Sequence, residues 1–344
     1  MGTDTISKSN QPASRIITGF DALKLILAVV VLVGHAEIKL WEECPAWLST
    51  IDFSLDGVAV PAFFILSAWL LFGKIRQAKS TKEQIMALLH YERRILVLYL
   101  FWTVALMYWI IQLWHPEYAE FSFAHLRFFI KQLLFGSQFG ASWFFGALIV
   151  GVPIVYLLGK WLGAKGIWII PLIIYVYVYF GPANEELYHF YNFEFRHRAD
   201  LSFLTALLFL AIGWMLYRDN MKRAAYAVPL WVLWTILAVA TITKCIWRYY
   251  EPAFDIIQAV VIVLLAFRWR CPMSRQLSLR LRAYSVHIFC VHLTVMRLIE
   301  RSDFPFADNP IIVAAVTLVI SFAISECLII LMKIPGLKWL KYSK

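Results

Sequence analysis

Charge is what this sequence has least of. Only 16% of its 344 residues are charged, 61% are hydrophobic, and the mean hydropathy is +0.69. Soluble domains run nearer a quarter charged and half apolar, so the composition excludes a water-soluble fold. The apolar runs are continuous and do not alternate, which excludes a β-barrel and leaves helices. Cysteine is sparse: Cys44, Cys245, Cys271, Cys290 and Cys327 show no CxxC spacing, so neither a disulfide framework nor a metal constellation is expected. P-loop and dinucleotide fingerprints are missing too, as are internal repeats and paired broken helices of the transporter sort. No short apolar core with a small-residue cleavage site opens the chain. Residues 1–15 therefore read as a cytosolic leader and not as a removable signal.

What is present is a series of long apolar segments. We expect an all-α integral membrane protein, a polytopic bundle of about ten transmembrane helices. The spans fall near 16–37, 55–73, 95–114, 142–162, 166–181, 201–217, 224–243, 253–269, 283–299 and 309–332. Residues 16–333 form one domain and 334–344 a basic cytosolic tail. With the N-terminus inside, twenty-two Lys and Arg fall on the cytosolic side and nine outside, with Lys24 left within its span. The net charge of +10 is thus a topology signal, and nucleic acid is set aside as a partner. Two further helices are expected outside the spans. One is a cytosolic amphipathic piece from Ser80 to Glu92, capped by Ser80 or Thr81; the other is an external interfacial piece from Phe121 to Phe135. Pro61 is expected to bend the second span and open a lateral cavity.

The first span carries Asp21, Lys24 and His35, although ionisable groups inside a bilayer are costly and usually face protein or a wet cavity. Lys24 and His35 are eleven residues apart, about three turns, so they share one face roughly 16 Å apart along the axis. A cation at one end and a proton-transfer group at the other suit a long anionic ligand lying along the helix. Two structural roles compete. Lys24 snorkels or pairs with Asp21, or His35 is a hydrogen-bonded packing residue.

The segment DALK-x10-H resembles the R-x10-H signature of the membrane acyltransferase-3 family, cell-surface glycan O-acyltransferases, with Lys24 where the family commonly has Arg. Further segments resemble it in order. They are GVAVPAFFILSAWLL (Gly57 to Leu71, with Ser67), YERRILVLY (Tyr91 to Tyr99, with Arg93 and Arg94), SWFFGALIVGVPIVY (Ser142 to Tyr156, with Trp143) and YSVHIFCVH (Tyr284 to His292, with Ser285). Ammonium for guanidinium matters at Lys24, because only guanidinium binds phosphate bidentately.

The resemblance implies an acyl donor, acetyl-CoA, on the cytosolic side and a hydroxyl of a glycan or lipid-linked sugar at the outer face. It implies His35 as general base or transient acyl acceptor, with His292 and Ser285 to orient either His35 or the acceptor, and Lys24, Arg93, Arg94, Trp143 and Ser67 to bind the donor. Asp56, at the external start of the second span, is a carboxylate placed to orient an imidazole or bind a sugar. Arg93 and Arg94 also serve as positive-inside anchors, and His292 and Ser285 as polar contacts between helices. His287 and Cys290 read as structural, and Glu326 requires a partner that the sequence does not name. A bacterial cytoplasmic membrane with both termini inside is expected; a homo-oligomer is compatible, and no metal is expected. The competing function is a non-enzymatic transporter or flippase whose permeation path is lined by Lys24 and His35.

Overall fold

A computed structural model describes residues 18–38, 42–120, 122–181, 184–218, 221–247, 251–269 and 272–344. The expected leader, residues 1–15, lies outside the described residues. The described chain is helical throughout, with no strand among these residues. In order come α1 Thr18–His35, α2 Ala46–Leu55, α3 Ala59–Gln77, α4 Thr81–Ala105, α5 Met107–Leu113, α6 Phe123–Phe135, α7 Trp143–Trp161 and α8 Gly163–Gly166. Then follow α9 Ile169–Phe180, α10 Asn184–Phe195, α11 Phe203–Arg218, α12 Met221–Ala227, α13 Leu230–Ile246, α14 Glu251–Arg268, α15 Arg275–Glu300 and α16 Pro310–Leu331. A 3-10 helix, Pro335–Ser343, ends the chain.

Caps begin several of these helices where the sequence provides them. Ser80 accepts from the Glu83 amide while Glu83 accepts from the Lys79 amide, a reciprocal arrangement that fixes the start of α4. Ser122, Ser274 and Asn309 cap α6, α15 and α16 by accepting from first-turn amides, the last with Pro310 in the first turn. The expected Ser80–Glu92 helix is therefore real at its start but not separate. It runs on into the third apolar segment as α4, which then bends by 68° into α5 at Leu106.

Four described helices are long and apolar enough to cross a bilayer: Thr18–His35, Ala46–Gln77, Gly140–Trp161 and Pro310–Leu331. The bent pair α4 and α5 makes a fifth. Helices Ile169–Phe180, Phe203–Leu216 and Leu230–Ile246 are apolar but shorter. The expected ten therefore stand at four to five by length and composition. The shortfall has two causes. Some apolar runs are broken into pieces of under 18 residues, as at α9. Others carry charge in their helices, as Glu251, Asp255 and Arg268 do in α14. The position of Pro61 in α3 does not require the expected kink. Pro61 falls in the first turn of α3, where its missing N–H would have no partner within the helix.

Helix directions follow from side-chain neighbours. Asp21 meets Arg282 and Ser278, and His35 meets His292, so α1 and α15 run side by side and parallel. Phe20 packs edge-on against Trp69 near the far end of α3, so α3 is antiparallel to α1. Gly19 lies so close to the carbonyls of Ala266 and Trp269 that a Cβ there would collide, which seats the end of α14 on the start of α1. Gly213 similarly lets α11 approach Ala68 and the Ile65 carbonyl of α3. One end of the bundle thus gathers Lys74, Arg76, Lys160, Arg268, Arg280 and Arg282, and the opposite end gathers Glu37, Asp56, Glu251 and Asp255 with Lys244 and Arg297 among them.

Candidate active site

The site is built on α1 and α15, and its two ends differ in chemistry. At the acidic end, His35 closes α1 with its side chain exposed, and its ring centroid is 5.4 Å from that of the fully buried His292. His292 Nδ1 stands 3.0 Å from the carbonyl oxygens of both Ile288 and Phe289. Carbonyls only accept, so Nδ1 carries the proton and Nε2 holds a bare lone pair. That Nε2 is buried without a partner among the described residues. A buried unsatisfied acceptor costs stability, so its presence beside a second imidazole is a functional signal. Phe289 lies 6.2 Å from the His292 ring and joins Phe63, Phe144 and Phe145, so aromatic walls back the pair.

Asp56 ends α2 beside this pair. Its Oδ1 accepts from the Gly57 amide at 3.0 Å, and a Cβ on Gly34 would lie 3.7 Å from the same oxygen. Asp56, Glu37 and Arg297 are the charged neighbours of His35, together with His292. Outside the helices of the bundle, burial holds His197 below the usual histidine range while its Nε2 donates to the Leu201 carbonyl at 2.8 Å.

At the basic end, Lys24 is half-buried within electrostatic range of Asp21, Arg282 and Arg94. Asp21 is not its ion-pair partner: Arg282 holds that buried carboxylate through Nε at 2.7 Å and NH2 at 3.0 Å, and Ser278 donates to it as well. Among the described residues no carboxylate comes within ion-pair distance of Lys24. The ammonium is therefore available to an anion beside two guanidiniums. Arg93 is exposed on α4. Ser67 and Arg94 are neighbours of the Tyr91 hydroxyl, which is buried without a hydrogen-bond partner among the described residues.

The other expected site residues are placed as follows. Trp143 starts α7 at the His35 end, 9% exposed, packed on Phe64 at 6.0 Å and 6.4 Å from the His197 ring, away from the basic group. Ser285 is buried and donates to the Arg282 carbonyl of its own helix at 3.0 Å. His287 bridges Ser325 and Ser343, and Cys290 is buried, as structural roles require. Glu326 takes a two-pronged bond from Arg280, 2.8 Å to each oxygen. On the shared stripe of α1, Ala28 and Val31 are buried between the two groups. The groups therefore face one another through packed side chains.

Two features escaped the sequence. Arg282 reads there as one of many basic anchors, although its spacing to His292 matches that of Lys24 to His35 within one residue. Lys244 reads as an external charge but is 0% exposed beside Asp255 and Glu251. The signal was a lysine at the end of one apolar run with two acids opening the next.

Residues 17–329 match the family model for the acyltransferase domain called acyltransferase-3, nearly the whole chain. Comparisons with curated proteins and with solved structures yield no match.

Proposed function

The chain belongs to the acyltransferase-3 family, and from that premise we propose that it is a membrane O-acetyltransferase. On this reading it moves the acetyl group of cytosolic acetyl-CoA to a hydroxyl of a cell-surface polysaccharide or lipid-linked glycan. The bilayer is a bacterial cytoplasmic membrane with the basic end and both termini inside. The observation that carries the reading is the parallel pairing of α1 with α15, which sets a cationic group and an imidazole pair about three turns apart along the same two helices.

Lys24, Arg94 and Arg282 hold the phosphates of the donor, the guanidiniums through paired N–H bonds and the ammonium as a point charge. The pantetheine arm lies along α1, and side chains around Ala28 and Val31 give way to admit it. His35, open at the acidic end, meets the sugar hydroxyl. The hydroxyl oxygen attacks the thioester carbonyl carbon as a His35 ring nitrogen takes its proton; the carbon–sulfur bond breaks, and the thiolate leaves with the electron pair and is protonated. His292 Nε2 accepts from the other ring nitrogen of His35 and so sets its tautomer. The Asp56 carboxylate steadies the imidazolium that forms, as carboxylates do beside catalytic histidines.

Membranes incubated with acetyl-labelled acetyl-CoA test this. Label is expected to enter glycan with the intact chain and to fall by about 10²–10⁴-fold in His35→Ala, the range for loss of a general base. Undiminished transfer in that variant would overturn the proposal.

A further inference from the structure

The expected catalytic set ends at Asp56, but the structure shows what holds Asp56. Lys244, in the last turn of α13, is fully buried. Its Nζ donates to Asp255 Oδ1 at 2.7 Å, lies 3.4 Å from Glu251 Oε1, and donates to the backbone carbonyl of Asp56. The ammonium also stands 5.6 Å from the Phe53 ring centroid. One turn further along α14, Gln258 donates to Thr241 at 2.8 Å and to the Ser54 carbonyl at 3.4 Å. The chain from Ser54 to Gly57 is thus gripped at two carbonyls by side chains from α13 and α14.

Gly57 completes the grip. Its φ of 76° is one that side chains rarely adopt, and a Cβ there would lie 2.3 Å from Asp255 Oδ2. The turn can close onto Asp255 only because residue 57 is glycine. From this turn the Asp56 carboxylate reaches Gly34, the residue before His35.

A buried ammonium with two carboxylates is explained as a helix staple when it touches nothing else. Here its remaining bond goes to the backbone of the residue whose carboxylate lies beside Gly34, next to His35 in the chain, and within electrostatic range of His35. We propose that Lys244 is a positioning residue for acyl transfer: with Asp255 and Gly57 it clamps the α2–α3 turn so that the Asp56 carboxylate is held against His35. The inference rests on the reading of His35 as the reacting base. Lys244 touches neither donor nor acceptor and acts only through Asp56.

The test uses the full chain purified in detergent, with Lys244→Met, Asp56→Asn, the double variant, and Asp255→Asn as a second route to the same clamp should Lys244→Met fail to fold. Lys244→Met is expected to lower kcat by about tenfold or more while KM for acetyl-CoA changes by less than about twofold. The double variant is expected to be no slower than Asp56→Asn, because the two residues act in series. Losses that multiply in the double variant, or a change in KM alone, would overturn the clamp. A second readout is independent of activity. In ring-labelled histidine NMR spectra, the titration curve of His35 is expected to move in Lys244→Met in the same sense and by a similar amount as in Asp56→Asn. Glu37, Arg297 and His292 supply the rest of its surroundings unchanged. A His35 curve that moves only in Asp56→Asn would also sink the clamp. If His35→Ala instead remains fully active, the functional reading fails, and the NMR comparison still decides the clamp.

Discussion

On the proposed function, donor binding turns on Lys24, because it is half-buried beside Arg94 and Arg282 and the nearby carboxylate is already held by Arg282. Removing one charge-assisted bond costs about 1.5–3 kcal/mol, or about 10–100-fold in affinity. Steady-state kinetics of Lys24→Ala should show KM for acetyl-CoA raised by about that factor with kcat little changed, and Lys24→Arg should restore it. An unchanged KM in the alanine variant would remove this role. His292 makes a different prediction. Its locked tautomer matters only if Nε2 is used, so His292→Phe, which keeps the contacts with Phe289, should stay folded while kcat falls by about tenfold or more. A phenylalanine variant at full rate would reduce His292 to packing.

At the scale of elements, the account depends on how α1 docks on α15. Asp21 is buried and Arg282 partly exposed, so their two-pronged pair is screened on one side only. Asp21→Asn leaves a guanidinium without its carboxylate and should lower stability in detergent by about 1–3 kcal/mol, read as a lower melting temperature. A melting curve that does not move would show that apolar packing alone sets the helix register. The positions of these helices were legible in the sequence, since α1, α7 and α16 lie within two residues of the apolar runs that announced them. One cap was legible where serine stood immediately before a helix-favouring run, at Ser80. What the sequence did not carry is interhelical pairing. Arg282 and Arg280 look alike as loop-side cations, yet one holds Asp21 in the site and the other holds Glu326 outside it. The burial of Lys244 was not legible for the same reason: only the fold brings the Asp56 carbonyl to it across 188 residues. The fate of Pro61 turned on where α3 begins, which apolarity does not mark.

The two ends of the molecule differ in charge: cations outnumber carboxylates around Arg282, and carboxylates outnumber cations around Asp56. The apolar surface between them bears exposed side chains such as Leu157, Ile173 and Val239, as a bilayer requires. The terminal segment adds to the closed form. Trp102 donates to the Ser343 carbonyl at 3.0 Å, and His287 meets the Ser343 hydroxyl, so Pro335–Ser343 is docked on α4 and α15. The central claim is that a single donor molecule bridges the two ends along α1. A cryo-EM structure of the full chain with a non-hydrolysable acetyl-CoA analogue tests it most directly. The account predicts phosphate density against Lys24, Arg94 and Arg282, and the acetyl group beside His35, with the side chains around Ala28 and Val31 displaced. Phosphates bound elsewhere, or an acetyl group distant from His35 while that packing stays closed, would contradict it.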